Sequence, residues 1–192
     1  MAGAAGIVVG DSLVRLTFEL EGYERADVAL TGAATKARDF RPFWRTKVAP
    51  WFFGLMQEQF ATEGAGVGGW VPLSPRYAAW KAKRYPGKTI LRRTDRLMKS
   101  LTWTGAQLAT PAGIALMTQD GATFGSSVHY GRFHQRGTRT MRQRRILYLP
   151  PNASQTLGKM LHRWAEDWFG GLARSVALPT VVGAGPGGRG TI

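Results

Sequence analysis

The sequence predicts an α+β fold, with helices packed on a small, mainly antiparallel sheet and extended arms at both ends. Three observations predict it. The segment 12–22 alternates with the period of a strand, and the short segments 113–118 and 122–128 read as further strands. Longer stretches at 34–62 and 152–169 repeat their apolar residues at three and four, as amphipathic helices do. Of 192 residues, 44% are hydrophobic and 11% aromatic, which is enough to bury a core.

In chain order, Ser12 to Gly22 reads as a strand, with Val14, Leu16, Phe18 and Leu20 on one face and Leu13, Arg15, Thr17 and Glu19 on the other. Between Ala34 and Thr62 the aromatics Phe40, Phe43, Trp44, Trp51, Phe52 and Phe60 recur at helical spacing. Pro42 and Pro50 interrupt that run, which predicts two helical pieces or one kinked helix. Glu63 to Gly69 reads as a flexible, linker-like loop by its glycines. Ser74 and Pro75 suit the N-cap and first position of a short helix through about Arg84, stopped by Tyr85-Pro86-Gly87.

Thr94 is placed to cap a second short helix, Asp95 to Leu101, with Leu97, Met98 and Leu101 inward. Leu101 to Thr104 and Gly113 to Thr118 flank Gly105 to Pro111 and read as a hairpin; Ala122 to Val128 is a third strand. His129 to Gly137 reads as a helical turn, followed by an arginine-rich loop from Thr138 to Arg145. Ile146 to Leu149 is a short apolar segment ended by Pro150-Pro151, after which Asn152 or Ser154 caps a helix to about Phe169. Leu97, Leu101, Trp103, Phe133, Leu147 and Trp164 are the expected core. The Gly-rich end of the chain reads as an arm that orders only on a partner. This divides the chain into an N-terminal arm and strand (1–33), an α+β domain (34–170) and a flexible C-terminal arm (171–192). No internal repeat is visible.

Charge is the strongest signal. Twenty-six basic residues face twelve acidic ones, a net +14, and the excess is concentrated. Residues 76–145 hold fifteen basic side chains against only Asp95 and Asp120, whereas residues 1–75 are nearly balanced. A field of that size predicts an acidic or polyanionic partner. Nineteen of the basic residues are Arg, which suits bidentate contacts to phosphate or carboxylate, although a GC-rich genome would enrich Arg equally. Three readings stay open: a nucleic-acid surface with Trp80, Tyr85, Trp103 and Tyr130 as stacking aromatics, a surface for acidic neighbouring subunits, or a solvated basic face.

Catalytic constellations are not found. His129 and His134 are five apart, off a common helical face, and the third histidine is His162. Carboxylates are too scattered for paired general acid–base or two-metal chemistry. Gly125-Ser126-Ser127 lacks the flanks of a nucleophile elbow, and the glycine loop lacks the Lys-Ser or Lys-Thr of a phosphate loop. The absence of cysteine excludes disulfides, thiolate metal sites and thiol catalysis. No enzyme activity, metal or cofactor is expected. Apolar stretches fall far short of the roughly 20 residues of a spanning helix, and the N-terminus lacks a basic leader, which predicts a soluble protein without a membrane partner.

One ordered series of blocks carries a family resemblance. Trp70-Val-Pro-Leu-Ser-Pro-Arg-Tyr-Ala-Ala-Trp-Lys is followed by Tyr85-Pro86 and by Leu91-Arg-Arg-Thr-Asp-Arg-Leu-Met-Lys-Ser-Leu. Then come Gly125-Ser126, the block Tyr130-Gly-Arg-Phe-His-Gln-Arg-Gly137, and Arg144-Arg-Ile-Leu-Tyr-Leu149. Over residues 34–170 this order resembles the Mu-like virion-morphogenesis proteins of tailed bacteriophages. Asp95 stands where that pattern has glycine, and Gly131 where it has alanine. The resemblance implies a connector-type domain in a non-catalytic neck, tail-completion or tail-terminator protein. It further implies a hexameric or dodecameric ring at the head–tail junction of the virion, assembled in the host cytoplasm. The implied partners are portal or adaptor proteins, tail tube or terminator proteins, and DNA in the channel. Arg92, Arg93, Arg96, Arg136, Arg139, Arg142, Arg144 and Arg145 are the residues expected to contact partner or DNA.

Overall fold

The computed structural model describes residues 5–9, 14–21, 39–102, 112–169 and 180–181; among them, helices pack on a small antiparallel sheet, the α+β class that the sequence predicts. The strands are β1 (Ala5–Val9), β2 (Val14–Glu21), β3 (Gly113–Met117), β4 (Gly121–Ser126) and the two-residue β5 (Thr180–Val181). Their spatial order is β1-β2-β4-β3, with β5 paired to the far end of β2. Register places Val14, Leu16 and Phe18 across from Ser126, Phe124 and Ala122 of β4. Gly113, Ala115 and Met117 lie on β4's other side at the same positions. Ala115 and Met117 therefore share the face on which Phe124 is fully buried. On the opposite face the Thr17 and Thr123 hydroxyls meet at 3.2 Å, and Leu116 stands exposed.

Two sequence expectations need correction here. The strand Gly113–Met117 pairs with Gly121–Ser126, and Leu101 and Thr102 close a helix instead of opening a strand. Leu101 ends a helix with its side chain in the core, and 103–110 lie outside the described residues. The turn at Thr118–Gly121 closes the nearer hairpin at a lower entropic cost; Thr118 N donates to Gly121 O (2.8 Å), and Gly121 N donates to Thr118 Oγ1 (3.0 Å). Second, part of the predicted N-terminal arm, Ala5–Val9, is an edge strand on β2. Of the predicted C-terminal arm only Thr180–Val181 and its pairing to β2 are described.

Helix α1 runs through Arg41–Phe43, a π turn at Trp44–Val48, and Ala49–Ala61. This is the kinked-helix alternative. Pro42 sits in the first turn, where no N–H is missed. Pro50 has no N–H for the carbonyl of Thr46, and in a regular α-helix its ring would press on that carbonyl. The wide turn ends at this proline, with Ala49 N donating five residues back to Trp44 O. Phe43, Trp44, Val48, Phe52, Met56 and Phe60 are buried along the inner face. Phe52 stacks on Phe124 of the sheet (5.1 Å, 20°), and Phe53 meets the same ring edge-on. Helix α5 (Ala153–Phe169) closes the other side, its Trp164 against Phe40 (5.8 Å) and Phe43 (5.5 Å).

The loop at 63–69 is not linker-like but a packed turn around a 3-10 segment, Ala65–Val67. Gly64 has φ 87°, and an added Cβ would lie 2.4 Å from the Trp70 ring. A Cβ on Gly66 would lie 2.2 Å from the Tyr148 ring. These glycines let two aromatic rings settle on bare backbone.

The other short helices are α2 (Pro75–Arg84), α3 (Arg96–Leu101) and α4 (Gly131–Arg136). Leu97, Leu101, Leu147 and Trp164 are buried as expected. Phe133 instead is half-buried beneath the Arg132 guanidinium, 4.6 Å from its ring, and Trp103 lies outside the described residues. Between α4 and α5, Ile146 and Leu147 enter the core in irregular backbone that belongs to no strand. Gln135, buried on α4, supplies their partners. Its Oε1 accepts from Ile146 N (2.8 Å) and Leu147 N (2.9 Å), and its Nε2 donates to Leu147 O (2.8 Å). Gln135→Leu keeps the approximate side-chain size and orphans three buried backbone groups, so it is expected to destabilise the fold by about 3 kcal/mol. Urea unfolding measures this, with the exposed Lys159→Gln as a near-neutral control.

Candidate functional site: a basic cleft

Helix α2 reverses the usual pattern of an amphipathic helix. Its one buried residue is Lys81, 4% exposed, whereas Tyr77 (39%) and Trp80 (45%) face solvent. Pro75 takes the first helical position; Ser74 precedes it without a side-chain cap bond, and its carbonyl accepts from Ala78 N (2.8 Å). The two exposed rings stack at 5.3 Å and 26°, and Trp80 meets Tyr85 edge-on at 5.7 Å.

The buried Lys81 holds the loop that follows. Its Nζ donates to Thr89 O, and Glu63 Oε1 accepts from Ile90 N at 2.5 Å. Burial lowers the Lys81 pKa, opposed by Glu63 and Asp95. Asp95 bonds Lys88 and also Arg92 (3.0 Å). Burial pushes the Asp95 carboxyl up, but those two cations outweigh it and hold it below its ordinary value. Asp95 has φ 56°, so the position where the resembling pattern has glycine is one that favours glycine. It also displaces Thr94 from the predicted cap, since α3 starts at Arg96 with Asp95 before it.

A cleft of about 920 Å³ opens beside these elements. Its walls come from Val71–Ser74, from Tyr77 and Lys81 of α2, from Leu91, Arg93, Thr94 and Arg96, from Tyr130 and His134, and from the arginine loop at Thr140, Met141, Arg142 and Arg144. Four of the eight predicted contact residues line it: Arg93, Arg96, Arg142 and Arg144. None of its lining side chains is acidic.

The other four do not join them. Arg92 is half-buried on Asp95, and Arg136, Arg139 and Arg145 are exposed elsewhere. Within the cleft the four differ in kind. Arg93, Arg96 and Arg142 are exposed, whereas Arg144 is 8% exposed, its Nε donating to Val71 O (2.7 Å) and its Nη2 to Pro72 O (3.0 Å). Arg144 is thus a structural strut as well as a wall. Tyr77 and the Val71–Ser74 strip are cleft features that the linear charge pattern does not show, and it gives no sign that Lys81 is buried. The usable signal was the sparse apolar content of α2, which leaves its aromatics no core to face.

His134 sits behind Arg144, its ring 6.2 Å from Tyr130 and its Nδ1 buried without a hydrogen-bond partner among the described residues. Among those residues no three metal-ligating side chains gather, and no helix is long and apolar enough to cross a membrane. Comparison of the chain with protein-family models, curated proteins and solved structures finds no match.

Burial, aided by the Arg144 charge, pushes the His134 pKa down to about 4. The unfolded chain therefore takes up a proton near pH 6.5 that the folded chain refuses until about pH 4. The stability this gives is full above pH 6.5 and is lost as pH falls to 4, by roughly 2 kcal/mol once solvent screening of the half-buried ring is allowed for. Thermal unfolding across this window is expected to show the decline, and His134→Gln to flatten it. Asp95, held below its ordinary 3.8, titrates under that window.

Proposed function

We propose that this protein is a non-catalytic structural component of the virion of a tailed bacteriophage. In this reading it is a neck, tail-completion or tail-terminator protein that forms a ring at the head–tail junction. It joins the portal complex to the tail and surrounds the DNA channel, with its basic cleft facing acidic neighbours.

The observation that carries this reading is that the resembling blocks, scattered from 70 to 149, interlock. Trp70 Nε1 donates to Arg145 O (2.7 Å), Arg144 reaches Val71 and Pro72, and Gln135 holds Ile146 and Leu147. The block positions also have physical reasons. Asp95 occupies a left-handed glycine position, and Gly137, which ends the His-Gln block, has φ 77° with backbone of Gln143 at 3.1 Å from any added Cβ. A pattern whose members depend on one another in space is more specific than any one block. A ring also needs different, complementary faces on one protomer, and a basic cleft without a lining carboxylate supports such a face.

The second reading is a non-catalytic nucleic-acid-binding protein using residues 76–145. The exposed, carboxylate-free arginines of the cleft favour it. Its signature is DNA affinity that falls by roughly 0.9 log units per log unit of salt for each phosphate neutralised.

Quantitative peptide mass spectrometry of purified tailed particles is expected to find about six or about twelve copies of the chain per particle. Arg93→Glu, Arg96→Glu and Arg142→Glu together are expected to block head–tail joining while circular dichroism and melting stay unchanged. Arg144→Glu is expected to disturb folding itself. Absence of the chain from finished particles overturns the junction reading.

A further inference from the structure

We infer that the cleft is a docking site for an extended acidic peptide segment that carries an apolar anchor, supplied by a partner protein. This deepens the assembly reading and rests on it for the identity of the partner, but the site itself is argued from its chemistry. Three exposed guanidiniums, Arg93, Arg96 and Arg142, converge there from segments far apart in sequence, and no lining carboxylate neutralises them. Arginine forks match carboxylates in paired hydrogen bonds. Beside the cations the lining is mixed, with Val71, Leu91 and Met141 supplying apolar surface among Ser74, Thr94 and Thr140. A purely polyanionic ligand has no use for that apolar surface, whereas a peptide with one apolar side chain covers it.

Two features weigh against nucleic acid. A duplex is read by a protruding element that enters a groove, and this site is concave. Single strands are bound on open ring faces, yet Tyr77 and Trp80 lie face to face, with Tyr85 on Trp80. The stacked pair forms a firm rim of the kind found at protein interfaces, and Tyr77 belongs both to the stack and to the cleft wall.

The test uses the full chain and three fluorescein-labelled probes: a Glu-Glu-Leu repeat peptide, a Glu-Glu-Ser repeat of equal charge, and oligothymidylate. The Leu peptide is expected to bind about tenfold more tightly than the Ser peptide by fluorescence anisotropy. Its affinity is expected to fall at least about tenfold in Arg93→Glu/Arg142→Glu and to stay unchanged in the distant Lys159→Glu. If the double reversal alters the circular dichroism, Arg96→Ala and Arg142→Ala take its place with the same direction expected. Equal binding of both peptides overturns the anchored cleft in favour of a bare charge field. Preference for oligothymidylate overturns it in favour of nucleic acid, and binding of no probe overturns it outright. These failures leave the junction reading standing if the chain is found in particles. Peptide binding by a chain absent from particles keeps the cleft and removes the junction.

Discussion

A buried stretch of backbone outside any helix or strand must find a partner for each polar group it carries, and the segment from Arg144 to Leu147 is the place where this constraint organises the molecule. Arg144 N donates to His134 O (2.8 Å), and Arg145 O accepts from Trp70 Nε1 and from Gln59 Nε2 (3.1 Å). Gln135 answers Ile146 and Leu147. Helix α1, the Trp70 strip and helix α4 are therefore tied to one another through a segment with no ladder of its own. Each tie would leave a desolvated group if broken, which costs more than the bond contributes when formed.

The same ties position the cleft. The Trp70 indole rests on Gly64, so the packed glycine turn sets where Val71 and Pro72 leave the core. Their carbonyls then receive Arg144, which closes the wall between the strip and the arginine loop. On the far side, Lys81 and Glu63 hold the backbone at Thr89 and Ile90, and Asp95 holds Lys88 and Arg92. Arg93 and Arg96 emerge on either side of that anchored turn. Arg93 on the loop and Arg96 at the start of α3 are thus carried on backbone fixed from beneath.

Helix α2 was legible because Ser74-Pro75 and Tyr85-Pro86-Gly87 mark its ends with local backbone chemistry; β2, β4 and α5 were legible from period alone. The end of α3 was not, because Leu101 reads equally as the start of a strand or the end of a helix until its burial is known. Composition misread the glycine loop, since glycine that frees a chain and glycine that admits a ring look alike in sequence. The charge run located the basic region. It could not separate Arg144 from Arg142, two residues away, because the difference lies in carbonyls some seventy positions earlier. Asp95 shows the same limit: nothing local announces a left-handed aspartate, and its two cationic partners are what make it tolerable.

The buried cations explain why the cleft keeps its field. Arg144 and Lys81 are both desolvated, with lowered pKa values, and both donate to neutral carbonyls rather than to carboxylates. A carbonyl satisfies the hydrogen bond without cancelling the charge, so Arg144 keeps its positive charge at the wall, whereas that of Lys81 is partly offset by Glu63 and Asp95. Asp95, in contrast, consumes Arg92 and Lys88, and those two do not line the cleft. Local stability would be higher if the buried cations were paired with carboxylates, but the cleft would then be electrically quiet. The arrangement maintains an uncompensated potential inside a rigid, partly apolar concavity. Relief of that potential by an incoming carboxylate would be free energy available only to the bound state, and this difference is what the peptide-docking proposal rests on.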